Sequence, residues 1–365
     1  MAAKRRNGFI IFLSVAFRVL LVIAGLCLII SYISSYIDPA HYWMPLFFGL
    51  YFIPILIVNF ILLLIALILR SKSAWITVIA ILPAMLFADR FYRFGSKRGD
   101  LIEGNLIKLE TYNVGNFGLS KNNLDKDTAK AGVFAQIKED DPDIVCLQEV
   151  TLDEFSQTSS ILPQYKYRTN YMFPNKGDVF GNIILSRHKI IGGGTIKFKN
   201  STNLSIYADI VVDKDTIRVF NNHLESNSIS LTSSIKKIRE NKRNVEEVKG
   251  EILSVNHKIR DAVIRRSQQA NALFNIIKES PYPTVICGDF NDTPMSYTYH
   301  KLSYNRKDTF KESGKGFAAT YSVLWPMLRI DYVFIPESFE GLSHKTIKCD
   351  FSDHYPVVTE FAIIK

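Results

Sequence analysis

Two textures divide the chain. Residues 8–37, GFIIFLSVAFRVLLVIAGLCLIISYISSYI, carry one charge, Arg18, and residues 43–69, WMPLFFGLYFIPILIVNFILLLIALIL, carry none. Both runs exceed the roughly 20 residues a helix needs to cross about 30 Å of hydrocarbon. A third run, AWITVIAILPAMLFA at 74–88, is shorter and holds Pro83; with its flanks it just reaches that length. The pattern predicts a transmembrane anchor over 1–93, with about three helices spanning about 10–37, 43–69 and 74–91. The first run is too long, and the second follows too soon, for a cleaved signal peptide. Arg18 reads as part of the basic flank of a span that begins near residue 19.

After a linker at 94–104, residues 105–365 change to short apolar strands alternating with amphipathic helices, the texture of layered α/β architecture. LIKLETYNV (106–114) and PDIVCLQEV (142–150) read as strands. LDKDTAKAGVFAQIKED (124–140) reads as a helix with Ala131, Val133, Phe134 and Ile137 on one face. NIILSRHKIIGGGTIKF (182–198) and LSIYADIVVDKDTIRVFNNHL (204–224) read as further strands, with a hairpin turn at DKD (213–215). Residues 229–279 form a long helix-prone stretch, and YPTVICGDF, RIDYVFI and YPVVTEFAII close the chain as strands.

Charge alters the picture in one respect. Of the net +9 over 365 residues, +7 falls within residues 1–100 and only +2 within 101–365. A basic chain suggests nucleic acid as a partner, but here the excess flanks the apolar runs and the remaining domain is close to neutral. AKRR before the first run and RSKS between the second and third favour the cytoplasm, whereas DPAHY has neither Lys nor Arg. Three spans starting inside predict an integral protein of a bacterial inner membrane, its large domain on the non-cytoplasmic side. The basic stretch DRFYRFGSKRGD (89–100) opposes that orientation. Residues 236–266, a local +5, read as a solvated helix face ahead of a phosphate or lipid-headgroup surface. The four cysteines show no metal-ligand spacing and read as small buried hydrophobes.

Candidate chemistry sits at the strand ends. Asn113 follows LETY, Gln148 and Glu149 follow DIVCL, and Asn222 and His223 follow RVFN. Asp289 and Asn291 follow VICG, Asp331 sits in LRIDYVF, and Asp353 and His354 precede YPVVTEF. In layered α/β folds ligands occupy the crevice at strand ends, so these tips are expected to converge. Singly, each also fits turn, cap or ion-pair chemistry.

Together and in this order, TYNVGNF (111–117), CLQEV (146–150), GNIILSR (181–187), NNHLE (221–225), GDFNDTP (288–294), RIDYVF (329–334) and SDHYPV (352–357) resemble the endonuclease/exonuclease/phosphatase superfamily, the deoxyribonuclease-I-like fold. The resemblance covers about residues 106–365. It implies a four-layer sandwich of two mixed β-sheets flanked by helices, and hydrolysis of phosphate esters with Mg²⁺ or Mn²⁺. By resemblance Glu149 is the principal metal ligand, with Asn113 and Asp353 assisting. Asp289 activates water, and Asn291 orients it or binds phosphate. His354 lies at the phosphate with Asp331 on its imidazole, and His223 contacts the phosphate. Asp289 and His354 both stand as candidates for the general base. Gly115 and Thr151 depart from the nuclease members that carry an acid and an Arg there, and Tyr171 and Asn182 are candidates for a further Tyr or Arg position.

The expected substrate is a phosphate ester in nucleic acid or in a phospholipid or sphingolipid headgroup, with the bilayer as the other partner; no protein partner is implied. Trp325 and Leu328, in YSVLWPML, offer an apolar lip beside Asp331. The alternative, a catalytically inactive membrane-tethered interaction module, predicts erosion of the polar tips, and all eight candidate residues are present.

Overall fold

The computed structural model describes residues 8–95, 104–118, 124–173, 180–199, 201–227, 245–322 and 328–364. Residues 8–89 with Met295–Tyr297 cluster into one compact unit, and Arg90–Pro294 with Thr298–Lys365 into another.

The first unit is helical: α1 (Gly8–Ser34), α2 (Leu46–Leu50), α3 (Phe52–Ile68) and α4 (Ala74–Ile81), continued by a 3₁₀ segment over Leu82–Arg90. Leu21, Ala24, Leu62, Ala66 and Ala74 pack together. The Asn59 side-chain amide donates to the Ala24 carbonyl at 3.0 Å, and the Tyr32 hydroxyl to the Ala80 carbonyl at 2.8 Å. Among the described residues only α1, with 27 residues, is long and apolar enough to cross a membrane; α3 has 17. The expectation of about three spanning helices is corrected to one. The second run breaks at Tyr51, where the backbone leaves helical geometry (φ −94°, ψ 21°), and Pro54 falls in the first turn of α3, where a missing N–H costs nothing. The third tightens into 3₁₀ turns around Pro83, which cannot donate to an α-helical ladder.

Among its described residues the second unit has fourteen strands: β1 (Tyr92–Arg93), β2 (Gly104–Asn113), β3 (Ile144–Thr151), β4 (Tyr167–Phe173), β5 (Phe180–Ser186), β6 (Lys189–Lys197), β7 (Leu204–Val212), β8 (Asp215–His223), β9 (Thr284–Asp289), β10 (Arg306–Asp308), β11 (Gly316–Phe317), β12 (Asp331–Pro336), β13 (Phe339–Thr346) and β14 (Val357–Ile364). Two six-stranded sheets run in the orders β13-β14-β2-β3-β5-β4 and β10-β12-β9-β8-β7-β6. Each is mixed, with one parallel pair: β2 with β3, and β8 with β9.

Strand alternation builds the core and the site together. Successive side chains point to opposite faces, and the inward set reads Ile107, Leu109, Thr111, Asn113 on β2 and Ile144, Cys146, Gln148 on β3. On the second sheet it reads Ile217, Val219, Asn221, His223 on β8, Val285, Cys287, Asp289 on β9, and Ile335, Val333, Asp331 on β12. The apolar members of these sets form one buried cluster between the sheets, and the polar members all lie at the same end.

Helices cover the outer faces. Helix α5 (Lys126–Asp140) starts at Asp125, whose carboxylate accepts the Thr128 N–H at 3.0 Å, and packs Ala129, Val133, Phe134 and Ile137 onto Tyr112, Val145 and Leu147. Ala129, and not the expected Ala131, belongs to that face; Ala131 is exposed. A further helix, α6 (Leu152–Ile161), opens on a capping box between Thr151 and Glu154. The long helix α7 (Val245–Lys278) lays Ala270, Leu273 and Ile277 on Phe220, Ile286 and Phe334 of the other sheet. The expected helix start at 229 lies outside the described residues. The hairpin at 213–215 forms, with Val212 opposite Asp215 and Asp213 at φ +53°. Strands β4 and β13, not anticipated, are the two edges of the first sheet. Their half-buried, mixed sequences carry little alternation.

Candidate active site

The second sheet sets three of the expected residues side by side. Parallel pairing places His223 of β8 opposite Asp289 of β9, and antiparallel pairing places Asp331 of β12 opposite Asp289. Their inward orientation follows from the same alternation that buries Val219, Cys287 and Val333. The register depends on Gly288, at φ +120°, because a Cβ there would meet the Asn222 carbonyl oxygen at 2.1 Å. Only glycine allows that approach.

The first sheet meets this row from across the core. The Asn113 amide donates to Glu149 Oε1 at 3.1 Å and to Asp289 Oδ2 at 3.0 Å, so one side chain ties the two sheets together. Its oxygen accepts the Gly115 N–H at 3.0 Å. Direct ligation of a cation by that oxygen therefore requires the amide to rotate. Glu149 sits at φ +57°, where the pairing of β3 with β5 shifts register between Leu147 and Val150. A bulge of this kind re-aims a side chain, and Glu149 consequently reaches His223, with Oε1 3.4 Å from Nε2. That Nε2 is buried and makes no hydrogen bond; Asp289 Oδ2 lies 3.9 Å from it.

Asn291 joins by a turn and not by the strand pleat. At φ +53° it folds back: its own N–H donates to Asp289 Oδ1 at 2.8 Å, while its amide donates to Asp289 Oδ2 at 3.1 Å and to the Leu224 carbonyl at 3.0 Å. His354 approaches from the segment before β14. Its Nδ1 is 3.0 Å from Asp331 Oδ2, and its Nε2 is 3.8 Å from Asp289 Oδ2. Asp353 is held beside it: the Ser322 N–H and hydroxyl both donate to its carbonyl at 2.8 Å, and the Ser352 hydroxyl donates to the Asn113 carbonyl at 2.8 Å.

Burial sets the electrostatics. It raises the Asp289 carboxyl to about 6, assisted by Asp331 and opposed by His354, His223 and the Asn113 hydrogen bond. Burial disfavours the His354 imidazolium, but the Asp331 and Asp289 carboxylates outweigh it and hold this imidazole well above its ordinary range. Burial also raises Asp353, and Glu149 adds to the effect against His354. Gathered carboxylates of this kind suit a hard divalent cation, which takes oxygen donors and neutralises their mutual repulsion. Ligand atoms of Asp289, Asp331 and His354 also fall within 4.8 Å of one another, although the imidazole of that trio is already engaged by Asp331.

Several tips serve as scaffold. Gln148 donates to Thr111 Oγ1 at 3.0 Å and to Asn221 Oδ1 at 2.6 Å, and Asn221 donates to the Leu147 and Ile183 carbonyls. This buried polar layer closes the floor between the sheets. Asn222 donates to the Cys287 carbonyl at 2.7 Å, and Asn182 to those of Leu204 and Asn221. Tyr171 packs under Lys197, whose ammonium lies 4.5 Å from the ring centre. Of the expected apolar lip, Trp325 lies outside the described residues, and the Leu328 carbonyl accepts the Thr320 and Tyr321 N–H groups. Sequence reasoning passed over Tyr321, whose ring packs edge-on to His354 with centroids 5.2 Å apart. Burial, with the fields of Asp353, Asp289 and Glu149, pushes its hydroxyl up to about 12. Its place in YSVLWPML, ten residues before Asp331, was the available signal.

Comparison with known proteins accords with this architecture. The sequence pattern of the Endonuclease/Exonuclease/phosphatase family matches residues 111–354, and that of a domain of unknown function, DUF8431, matches residues 9–91. No curated protein matches the chain. Among solved structures, an endonuclease/exonuclease/phosphatase from Beutenbergia cavernae is 17% identical over 71% of this chain and 72% of its own, with TM-score 0.52. A family protein from Bacteroides thetaiotaomicron is 14% identical over 72% of this chain and 100% of its own, with TM-score 0.54. TDP2 of D. rerio, complexed with a single-strand DNA product, is 16% identical over 70% of this chain and 98% of its own, with TM-score 0.50. At these identities the likeness is one of fold.

Proposed function

The chain belongs to the endonuclease/exonuclease/phosphatase family, and we propose that it is a membrane-anchored, divalent-metal-dependent hydrolase of phosphate esters. The observation that carries this reading is the row His223–Asp289–Asp331 on one sheet, facing Asn113 and Glu149 of the other with His354 alongside.

Glu149, with Asp353 and a rotated Asn113, would hold Mg²⁺ or Mn²⁺. When bound, such an ion neutralises phosphate charge and stabilises the leaving oxygen. Asp289 is the base. With its carboxyl raised to about 6, it is ionised at neutral pH yet basic enough to take a proton from water. Asn291 fixes that carboxylate through its backbone N–H and its side-chain amide. His354 is kept as imidazolium by Asp331, so it donates to a phosphoryl oxygen and accepts no proton. His223 presents its Nε2, which makes no hydrogen bond but faces the Glu149 carboxylate, to the phosphoryl group or to the leaving oxygen.

The substrate is a phosphodiester of nucleic acid or of a lipid headgroup. A relative holds a DNA product, whereas anchoring favours lipid. Support for the anchor comes from α1 and from large apolar side chains left open to water around the helical unit, among them Phe12 (67% exposed), Ile68 (79%) and Leu86 (77%). Patches of this kind mark a membrane or protein contact. A single crossing by α1, with Lys4, Arg5 and Arg6 inside, puts the hydrolase domain on the non-cytoplasmic side. Reporter fusions at residue 100 test that placement, and a cytoplasmic signal overturns it.

The chemistry is tested with the full chain in nanodiscs against single-stranded DNA, RNA, sphingomyelin, phosphoinositides and p-nitrophenyl esters, with Mg²⁺, Mn²⁺ or EDTA. Cleavage of one class, lost in EDTA and in Glu149→Gln, supports the reading. Turnover unchanged in Glu149→Gln, or none with any ester, sinks it.

A further inference from the structure

Helix α7 carries a buried cation that the proposed chemistry does not use. Arg266 is 1% exposed. Its Nη1 donates to the Glu225 carbonyl at 2.6 Å, and Nη1 and Nη2 both donate to Asn227 Oδ1 at 3.0 Å. On its other edge, Nε forms an ion pair with Asp292 Oδ2 at 3.4 Å. Glu225 comes two residues after His223, and Asp292 comes directly after Asn291. One guanidinium therefore spans the chain leaving β8 and the chain leaving β9, and these are the two segments that present His223 and Asp289.

The neighbouring side chains strengthen one end of this clamp. Gln269 accepts the Glu225 N–H at 2.8 Å, and Arg265 Nε donates to Glu225 Oε1 at 2.8 Å. The Ser201 hydroxyl donates to Glu225 Oε2 at 2.5 Å. Residues 265 and 266 lie one helical turn before 269, at the four- and three-residue spacings that bring side chains on a helix together. At the other end Asp292 is itself buried, with its carbonyl accepting the Tyr332 hydroxyl at 2.8 Å. A buried ion pair recovers little stability over an apolar substitute. A planar fork that reaches two loops at once does something an apolar side chain cannot do.

We propose that Arg266 is a positioning residue for phosphate-ester hydrolysis: by clamping Glu225 and Asn227 to Asp292, it holds the His223-bearing and Asp289-bearing segments at reactive spacing. The inference rests on the hydrolase reading above. It acts through Asn291, which bridges Asp289 and the Leu224 carbonyl within the same span. Lysine supplies charge without the fork, and asparagine at 292 keeps shape without charge.

The test measures kcat, KM and thermal midpoint for the full chain carrying Arg266→Lys, Asp292→Asn or both, with Glu149→Gln as a control. Arg266→Lys should lower kcat by about 10- to 100-fold, as expected for misplacement of reacting groups by about 1 Å, while KM changes less than about threefold. The double variant should be no slower than Arg266→Lys alone, since both substitutions open one clamp. Folded Arg266→Lys with undiminished kcat, or losses that multiply in the double variant, overturns the proposal. If Arg266→Lys does not fold, the isosteric Asp292→Asn decides by the same split: a kcat loss at constant KM supports the clamp, and unchanged kcat removes it. Full activity in Glu149→Gln refutes the hydrolase reading itself, whereas loss there with undiminished kcat in Arg266→Lys refutes only the clamp.

Discussion

His354 Nδ1 lies 3.0 Å from Asp331 Oδ2, although the two residues are 23 positions apart and His354 sits in the segment before β14, outside the sheet that carries Asp331. This contact orients the ring, leaves Nε2 facing Asp289, and keeps the imidazolium stable well above its ordinary pKa despite burial. The charged form of His354 therefore stabilises the fold fully below its unfolded pKa of about 6.5, and that stabilisation is lost as pH rises through the raised folded value.

Asp331→Asn should lower the His354 pKa and carry the alkaline limb of the rate profile to lower pH. The loss in kcat should be about 10²- to 10⁴-fold, the range of a misdirected acid–base group. An unchanged alkaline limb in a folded variant would show that His354 does not act as imidazolium.

Asp289 governs the acid limb. Because its carboxyl is raised to about 6, kcat/KM should fall tenfold per pH unit below about 6. Asn113→Ala removes a hydrogen bond that lowers this pKa, so the limb should move to higher pH. The stability sign is the reverse of ordinary acid denaturation. Between about 3.9 and 6 the native state keeps a proton the unfolded chain has released, so this group adds stability as pH falls through 6. Rate profiles of the two proteins check the shift.

Glu110 on β2 is fully buried with neither carboxylate oxygen hydrogen-bonded, and burial raises it to about 8, with Asp140 adding and Lys108 opposing. Native protein holds this proton where the unfolded chain does not. Stability should therefore decline with rising pH between about 4.3 and 8, by up to about 1.4 kcal/mol per pH unit from this group. Glu110→Gln should flatten that slope. Denaturation midpoints of both proteins from pH 5 to 9 test it, and parallel slopes would remove Glu110 as the cause.

Gly288→Ala should cost about 1–3 kcal/mol in backbone strain alone, with more from the contact at Asn222. Because Gly288 precedes Asp289, the thermal midpoint and kcat should fall together. A stable, active alanine variant would mean that the pairing of β8 with β9 adjusts without cost.

Much of this molecule was legible along the chain, for a physical reason. Alternation is a local property, and Ile107–Leu109–Thr111–Asn113 or Val285–Cys287–Asp289 already states that an apolar inner face ends in polar groups. Seven short motifs in order then indicated the family and its two-sheet fold. Edge strands β4 and β13 escaped because half-buried strands need no clean pattern. The apolar runs of the N-terminal unit overstated the spanning helices, since composition sets hydrophobicity while Pro54 and Pro83 set where helices start and tighten.

What only the tertiary structure decided is which tips meet, and how. Gln148 and Asn222 looked equivalent to Asn113 in sequence; their hydrogen bonds turned them into floor and scaffold. Glu149 reaches His223 through a bulge, and Asn291 reaches Asp289 through a left-handed turn, neither of which alternation foretells. The pKa of Asp289 and the reach of Arg266 from α7 belong to this class as well. They depend on burial and on neighbours far away in the chain, and no local pattern of residues contains that information.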